Sequence, residues 1–150
     1  MMDMTNSDNA RNVAQPNPDL KTLARLIGTW SVSGEAAGAV TYEWTEGQFF
    51  LLQHVDLGGS KGLEVIGHER RYGEEPSVDI RSRYYGFSEG ETLDYTYEIV
   101  DDTLTIWMGD RGSPAYYKGT FDDTGNTLTG AWHYPGGGGY STVSTRTAGR

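Results

Sequence analysis

The stretch Leu26-Ile27-Gly28-Thr29-Trp30 marks the point where a short helical pattern gives way to a long series of strands. Upstream of it, Asn17 is placed to cap a helix, and Pro18 suits the first helical position. Apolar residues then recur at helical spacing as far as Ile27. Gly28 is expected to stop the helix, and Trp30 to begin the first strand. The stretch therefore predicts a short N-terminal helix that leads directly into a sheet.

Downstream of Trp30 the chain repeats one unit, a short run of β-forming residues followed by a turn rich in Gly, Asp, Glu or Asn. The clearest turn is Asp-Asp-Thr-Gly-Asn at 122–126, which is typical of a hairpin. No helical pattern intervenes, so neighbouring strands are expected to be antiparallel. About ten such strands would normally close, because closure removes both sheet edges. The expected strands are 30–33, 40–45, 49–56, 63–70, 78–85, 92–99, 103–107, 115–121, 127–134 and 140–147.

The predicted fold is thus all-β, a closed antiparallel up-and-down barrel of about ten strands with a short N-terminal helix. The length of 150 residues suits one domain. Residues 1–16 are predicted to be a disordered tail, 17–147 the barrel and 148–150 a C-terminal tail. The first residues lack the basic and apolar regions of a signal peptide, and no apolar run approaches a membrane span. A cytoplasmic location is therefore expected.

The composition excludes several classes of function. The chain has 12 Lys+Arg against 21 Asp+Glu, a net charge of -9, which would repel nucleic acid and anionic membranes. It has no cysteine, which rules out disulfides, thiolate nucleophiles and Cys-containing metal sites. Neither a nucleophile elbow nor a glycine-rich phosphate loop is present. Ten Tyr and four Trp instead favour an aromatic-rich interior.

Alternation along 92–99 indicates which aromatic rings point inward. Leu93, Tyr95, Tyr97 and Ile99 share one face of this strand, opposite a polar face. The rings either fill a packed core or, as a set, line a ligand cavity whose hydroxyl and indole groups orient a guest. The aromatic residues predicted to bind a ligand are Tyr42, Trp44, Tyr95, Tyr97, Trp132 and Tyr134.

The three histidines are the first candidates for catalysis. His54, His68 and His133 match no helical metal-binding signature, so no metal site is predicted. His54 has apolar neighbours on both sides, which makes it a candidate for facing the cavity, beside Gln53. His133 alternates out of phase with the aromatic face of its strand and is expected to point outward.

Asp79, Arg81 and Arg83 share one face of their strand. This face is either a solvated charged surface or, with Arg83 or Arg81 inside the barrel, the counter-charge for a ligand carboxylate. In the second interpretation Glu64 or Asp79 would partner the arginine. The sequence leaves open which faces of 49–56 and 78–85 point inward.

Four segments together resemble the lipocalin-like (calycin) barrels, and in particular small bacterial lipocalin-like domains of mostly undefined function. They are Ile27-Gly28-Thr29-Trp30 after the helix, Tyr42-Glu43-Trp44, Val65-Ile66-Gly67-His68 and the closing Thr145-Arg146. The resemblance implies a cation–π contact between Trp30 and Arg146 at the closed end of the barrel. It also implies a cavity for a hydrophobic or aromatic small molecule.

Some relatives in that group bind haem, and their Gly-x-Trp opening is similar to the one found here. Their further glycines at alternate positions are reduced in this chain to Ser33-Gly34.

Three functional hypotheses follow. The first is binding of a small hydrophobic or aromatic molecule, with no cofactor. The second is an enzyme of isomerase, cyclase or lyase type, in which a pocket histidine or carboxylate moves a proton on a bound carbonyl compound. The third and weakest is a haem protein with His54 or His68 as axial ligand. The expected partner is a small molecule, without nucleic acid or membrane, and the protein is expected to be a monomer or homodimer.

Overall fold

The computed structural model describes residues 14–149, which form a closed barrel of ten antiparallel strands. A 3₁₀ helix, Pro18–Leu26, precedes the barrel, and a short 3₁₀ turn, Glu46–Gln48, interrupts it. No helix within 14–149 has the length and apolar character needed to cross a bilayer. The strands are β1 (Gly28–Gly34), β2 (Gly38–Trp44), β3 (Phe50–Leu57), β4 (Ser60–Gly67), β5 (Ile80–Gly86), β6 (Thr92–Val100), β7 (Thr103–Met108), β8 (Tyr116–Phe121), β9 (Thr127–His133) and β10 (Tyr140–Ala148).

Each strand pairs with the next in sequence, and β10 pairs with β1 to close the barrel. This confirms the predicted up-and-down topology. The largest shift in strand limits is in β4, which begins at Ser60 because Gly58 and Gly59 alone make the turn and let Ser60 pair with Leu57. The barrel also extends past its predicted end at 147, since Ala148 pairs with Thr29. Most of the predicted N-terminal tail, residues 1–13, lies outside the described residues.

The N-terminal helix covers one end of the barrel. Asn17 caps it as predicted, since its Oδ1 accepts a hydrogen bond from the Asp19 amide at 3.1 Å. Leu20, Leu23 and Leu26 are all buried. Their spacing of three residues matches the three residues per turn of a 3₁₀ helix, so they form one apolar row. That row packs into the hydrophobic core of the barrel.

Trp30 is the centre of this closed end, with only 1% of its surface exposed. The Arg146 guanidinium lies 4.2 Å from its ring centroid, and Trp30 Nε1 donates a hydrogen bond to the Leu26 carbonyl at 2.8 Å. Arg146 also donates to the carbonyls of Arg25 and Gly125, at 2.7 and 3.0 Å. The cation–π contact implied by the resemblance is therefore present. The hydrogen bonds of Arg146 connect the helix and the β8–β9 turn to β10.

Gly28 shows why the stretch 26–30 must contain glycine. Its φ is +118°, a conformation that residues with a side chain rarely adopt. A Cβ at this position would lie 2.5 Å from the carbonyl oxygen of Ala148. The close approach of β1 and β10 beside Trp30 therefore depends on the missing side chain.

Candidate functional site

The barrel encloses a cavity of about 130 Å³ toward the end opposite Trp30. Ala36, Leu57 and Tyr140 place it near the loops that join β1 to β2, β3 to β4 and β9 to β10. Aliphatic side chains line part of the wall, including Leu104 and Ile106. The aromatic side chains that line it are Tyr42, Tyr95, Tyr97, Tyr117, Trp132 and Tyr140.

Three aromatic rings form an angled corner of this cavity. The Trp132 ring lies 5.8 Å from Tyr95 and 5.7 Å from Tyr117, centroid to centroid, with interplanar angles of 54° and 56°. Tyr117 keeps its position because Gly119 and Gly130 leave room for its hydroxyl, which would lie 2.4 and 2.5 Å from a Cβ at those two positions. The corner is thus a concave surface built from rings on β6, β8 and β9.

One carboxyl group reaches this aromatic cavity. Glu64 on β4 is only 5% exposed, and its Oε2 accepts a hydrogen bond from the Tyr97 hydroxyl at 2.5 Å. A second polar pair lies in the same lining, in which Gln53 Nε2 donates to the Tyr42 hydroxyl oxygen at 2.9 Å. The cavity wall therefore combines apolar and aromatic surface with several polar groups, including Glu64 and Gln53.

Burial raises the pKa of Glu64 above its ordinary value of 4.5, because it disfavours the charged form. The hydrogen bond from Tyr97 acts in the opposite direction. Ser82 does so too, although its buried Oγ makes no hydrogen bond of normal length. Burial also raises the pKa of Tyr97, and the charge of Glu64 adds to that effect. Burial similarly raises the pKa of Tyr117 to about 12, so these hydroxyls stay protonated at neutral pH.

Five of the predicted ligand-binding residues lie together in the cavity wall. The inward orientation expected for Tyr95 and Tyr97 is confirmed, while their role in binding stays a prediction. Tyr134 lies outside the wall and stacks on Trp132 at 6.2 Å. Trp44 is half-buried against the hydrophobic core and does not line the cavity. The five in the wall are Tyr42, Gln53, Tyr95, Tyr97 and Trp132.

The prediction that His54 faces the cavity is wrong. Its side chain is 52% exposed on the outer face, where Nε2 lies 3.7 Å from Glu43 Oε2. Strand alternation explains the error, because Gln53 points inward beside Tyr42 and its neighbour must then point outward. Because β3 has apolar residues on both faces, its sequence pattern does not show which face points inward.

The interpretation that places Arg83 inside the barrel is also wrong. Its half-exposed guanidinium donates to Asp94 Oδ1 at 2.7 Å on the outer face. Arg81 likewise donates to Asp110 at 2.8 Å. The solvated charged face was the correct interpretation of β5, since Ser82 between the two arginines points inward.

Glu64 is the main residue that sequence reasoning missed, because it was considered only as a partner for an arginine. The available signal was that Glu64 is the one acidic residue within the otherwise apolar run Leu63–Gly67, which is consistent with a buried acid. Tyr117 and Tyr140 were also missed. Tyr116 and Tyr117 are adjacent, so their pattern alone does not show which ring points inward.

No histidine lines the cavity. His68 lies at the closed end, where Nε2 is 2.6 Å from Asp19 Oδ1 and Nδ1 is 2.7 Å from the Ser77 carbonyl oxygen. His133 packs on Tyr116 outside the wall. Neither His54 nor His68 could therefore ligate a haem in the cavity, and these residues do not fit that group. Within 14–149, no three His, Cys, Asp or Glu side chains cluster closely enough to hold a metal ion.

A second concave surface, which we call the outer groove, lies outside the barrel. It has a volume of about 770 Å³ and is lined by 14–18 together with Phe49, Phe50, His68 and Arg70. It is larger than the cavity. Its described lining residues include no Asp or Glu and none of the three rings of the corner.

No protein-family model matches this chain, and no curated protein matches its sequence significantly. The geometry of the cavity is therefore the basis for a functional proposal. The ten-stranded closed barrel is compatible with a lipocalin-like fold.

Proposed function

We propose that this protein binds a compact hydrophobic or aromatic small molecule inside its barrel, as a member of the lipocalin-like group. The observation that supports this is the 130 Å³ cavity, in which the Trp132 ring corner and the buried Glu64 meet. An apolar cavity of about 150 Å³ is enough to hold benzene, whereas pockets for drug-sized ligands are roughly 300–1,000 Å³. The ligand is therefore close to benzene in size, and much smaller than haem.

The buried carboxyl group favours a binding site over a cavity that is merely a packing defect. Burying a carboxyl group costs free energy, and an apolar side chain would fill the same space without that cost. Polar groups kept at such a cost, in a cavity and with a shifted pKa, are typical of functional sites. Glu64 and Tyr97 would fix the orientation of a ligand that the rings hold by contact.

Calorimetric titration with cyclopentanol tests the proposal, because this alcohol is close to benzene in size. We expect saturable binding to the unmodified protein. Ala36→Trp places a large ring in the cavity lining and should weaken binding by at least about tenfold, which is ~1.4 kcal/mol. The matched control is Ala39→Trp, since Ala39 is exposed on the outer face of β2. The affinity of Ala39→Trp for cyclopentanol should stay within about twofold of that of the unmodified protein.

Two results would contradict the binding proposal. One is the absence of saturable binding by cyclopentanol and by benzene. The other is equal weakening by Ala36→Trp and Ala39→Trp, which would place the bound molecule outside the cavity.

A second candidate function is proton transfer, favoured by the contact of Glu64 with the Tyr97 hydroxyl. In its ionised form Glu64 would remove an α-proton from a bound ketone. The electron pair would then form an enolate, and a tyrosine hydroxyl would donate a hydrogen bond to the enolate oxygen. Glu64 would exchange this proton with solvent and give a solvent proton back to the carbon, which regenerates the ketone and the ionised carboxylate. The carboxylate takes the role that was first considered for His54.

Deuterium exchange tests this second candidate. Cyclopentanone in D₂O should lose its α-proton NMR signals faster with the protein than without it, by roughly 10²-fold or more if a general base acts. Glu64→Gln should remove the acceleration, while His54→Gln should retain it. Equal exchange with and without the protein would reject catalysis and leave the binding proposal intact.

A further inference from the structure

We propose that the ligand of the cavity carries an ammonium group, with Glu64 as its counter-ion and the rings of Tyr95, Tyr117 and Trp132 as the aromatic wall against which it packs. The chemical class is a compact primary or methylated amine with a small apolar body. This inference rests on the proposed function, because it requires a ligand to enter the cavity. Beyond the proposed function, it specifies the charge of the ligand and names Glu64 as the residue that selects for that charge.

The charges of the cavity wall point to a cation. Among residues 14–149, Glu64 is the one acidic side chain that lines the cavity, and no Lys, Arg or His of this part of the chain lines it. Arg81 and Arg83 lie outside the barrel wall and bind Asp110 and Asp94. Glu64 would thus repel a ligand carboxylate, and no cationic side chain would offset that repulsion. An ammonium group would instead be attracted by Glu64.

The hydrogen bonds of Glu64 leave room for an ammonium donor. Tyr97 donates to Oε2, and no other hydrogen bond of normal length among the described residues reaches the carboxyl group, although Ser82 also favours its ionised form. A carboxylate can accept several hydrogen bonds, and a primary ammonium has three donors and no acceptor. Charge-assisted hydrogen bonds of this kind are roughly twice as strong as neutral ones. Oε1 is therefore the expected acceptor for the ligand.

The rings supply the second part of the recognition. Aromatic faces attract cations through the ring quadrupole, and this is how proteins recognise quaternary ammonium groups. Tyr95 and Tyr117 each contact Trp132, with ring centroids 5.8 and 5.7 Å apart, and all three rings line the cavity that Glu64 reaches. The net charge of -9 also attracts cations toward the protein.

Binding of a cation should depend on pH. Burial raises the pKa of Glu64, so part of the empty protein carries a neutral carboxyl group as pH falls toward and below that pKa. Because the ammonium group requires the ionised form, its affinity should rise with pH, whereas the affinity of a neutral alcohol should not. The side chains of neighbouring strands that face or influence Glu64 are neutral, namely Tyr42, Gln53, Ser82, Tyr84, Tyr95 and Tyr97.

The test compares cyclopentylammonium with cyclopentanol, which differ little in shape, by calorimetric titration near neutral pH. We expect the ammonium ion to bind at least about tenfold more tightly. In Glu64→Gln the ratio of the two affinities should fall to about one. Glu43→Gln is the matched control, because it removes a carboxylate from the outer face. It should retain the preference.

Three outcomes separate the two proposals. Equal affinity for the two probes, or a preference that persists in Glu64→Gln, would overturn the ammonium inference and leave the binding proposal standing. Binding of neither probe would overturn both. If Glu64→Gln does not fold, the pH dependence of the unmodified protein decides. A preference for the ammonium ion that grows with pH supports the inference, and a flat preference overturns it.

Discussion

Trp30→Ala is expected to lower the free energy of unfolding by about 3–5 kcal/mol, the range for loss of a large buried aromatic side chain. Trp30 is almost fully buried at the closed end, with its ring beneath the Arg146 guanidinium and 6.3 Å from the ring of Phe121. Its removal leaves a void under the N-terminal helix and takes the cation–π partner from Arg146. Urea denaturation followed by circular dichroism measures the change.

Trp107→Ala is the matched control for this prediction. Trp107 is half-buried and has the Arg111 guanidinium 4.9 Å from its ring centroid. Because the Trp107 ring is outside the closed end, Trp107→Ala should lower the free energy of unfolding clearly less than Trp30→Ala does. An equal loss in the two variants would contradict the assignment of Trp30 as the centre of the closed end. Ligand affinity should change little in Trp30→Ala at temperatures where it stays folded, since Trp30 does not line the cavity.

Glu64→Gln is expected to stabilise the protein, and increasingly so as pH rises above about 4.5, the ordinary carboxyl value. Because burial raises the folded-state pKa of Glu64, the native protein holds a proton that the unfolded chain releases over this range. The unmodified protein therefore loses stability as pH rises from 4.5 to the folded-state pKa. Glutamine does not titrate. It retains an acceptor for the Tyr97 hydroxyl.

The measured quantity is the difference in unfolding free energy between Glu64→Gln and the unmodified protein, at a series of pH values. One proton limits its slope to about 1.4 kcal/mol per pH unit. Below the unfolded-state pKa the difference should be constant. Glu43→Gln is the control, because it removes a carboxylate from the exposed outer face. A difference that shrinks as pH rises would show that the pKa of Glu64 is lowered in the fold, contrary to the account.

The barrel could be predicted from the sequence because its signals are local. Alternation identifies strands, glycine-rich turns separate them, and short connections force antiparallel neighbours. Closure followed from the need to remove sheet edges. The helix was also predictable, and the row Leu20, Leu23 and Leu26 carried the spacing of its 3₁₀ form. Except for closure, which pairs β10 with β1, these features depend on neighbours in sequence.

The site could be predicted only in part, because inward and outward faces depend on register. Tyr95 and Tyr97 alternate with polar residues, so their orientation was visible in the sequence. β3 has apolar residues on both faces, and the pairing of Tyr42 with Gln53 across strands is what turns His54 outward. The contact between Glu64 and Tyr97 joins β4 to β6 across β5, and no local pattern encodes it.

Isotope-filtered NMR can locate bound cyclopentanol and so test whether the interior of the barrel is a ligand site. We expect nuclear Overhauser contacts from the ligand to the side chains of Tyr95, Leu104 and Trp132, which line the cavity. Contacts confined to Phe49 and Phe50 of the outer groove would contradict this expectation. So would the absence of any contact at saturating ligand.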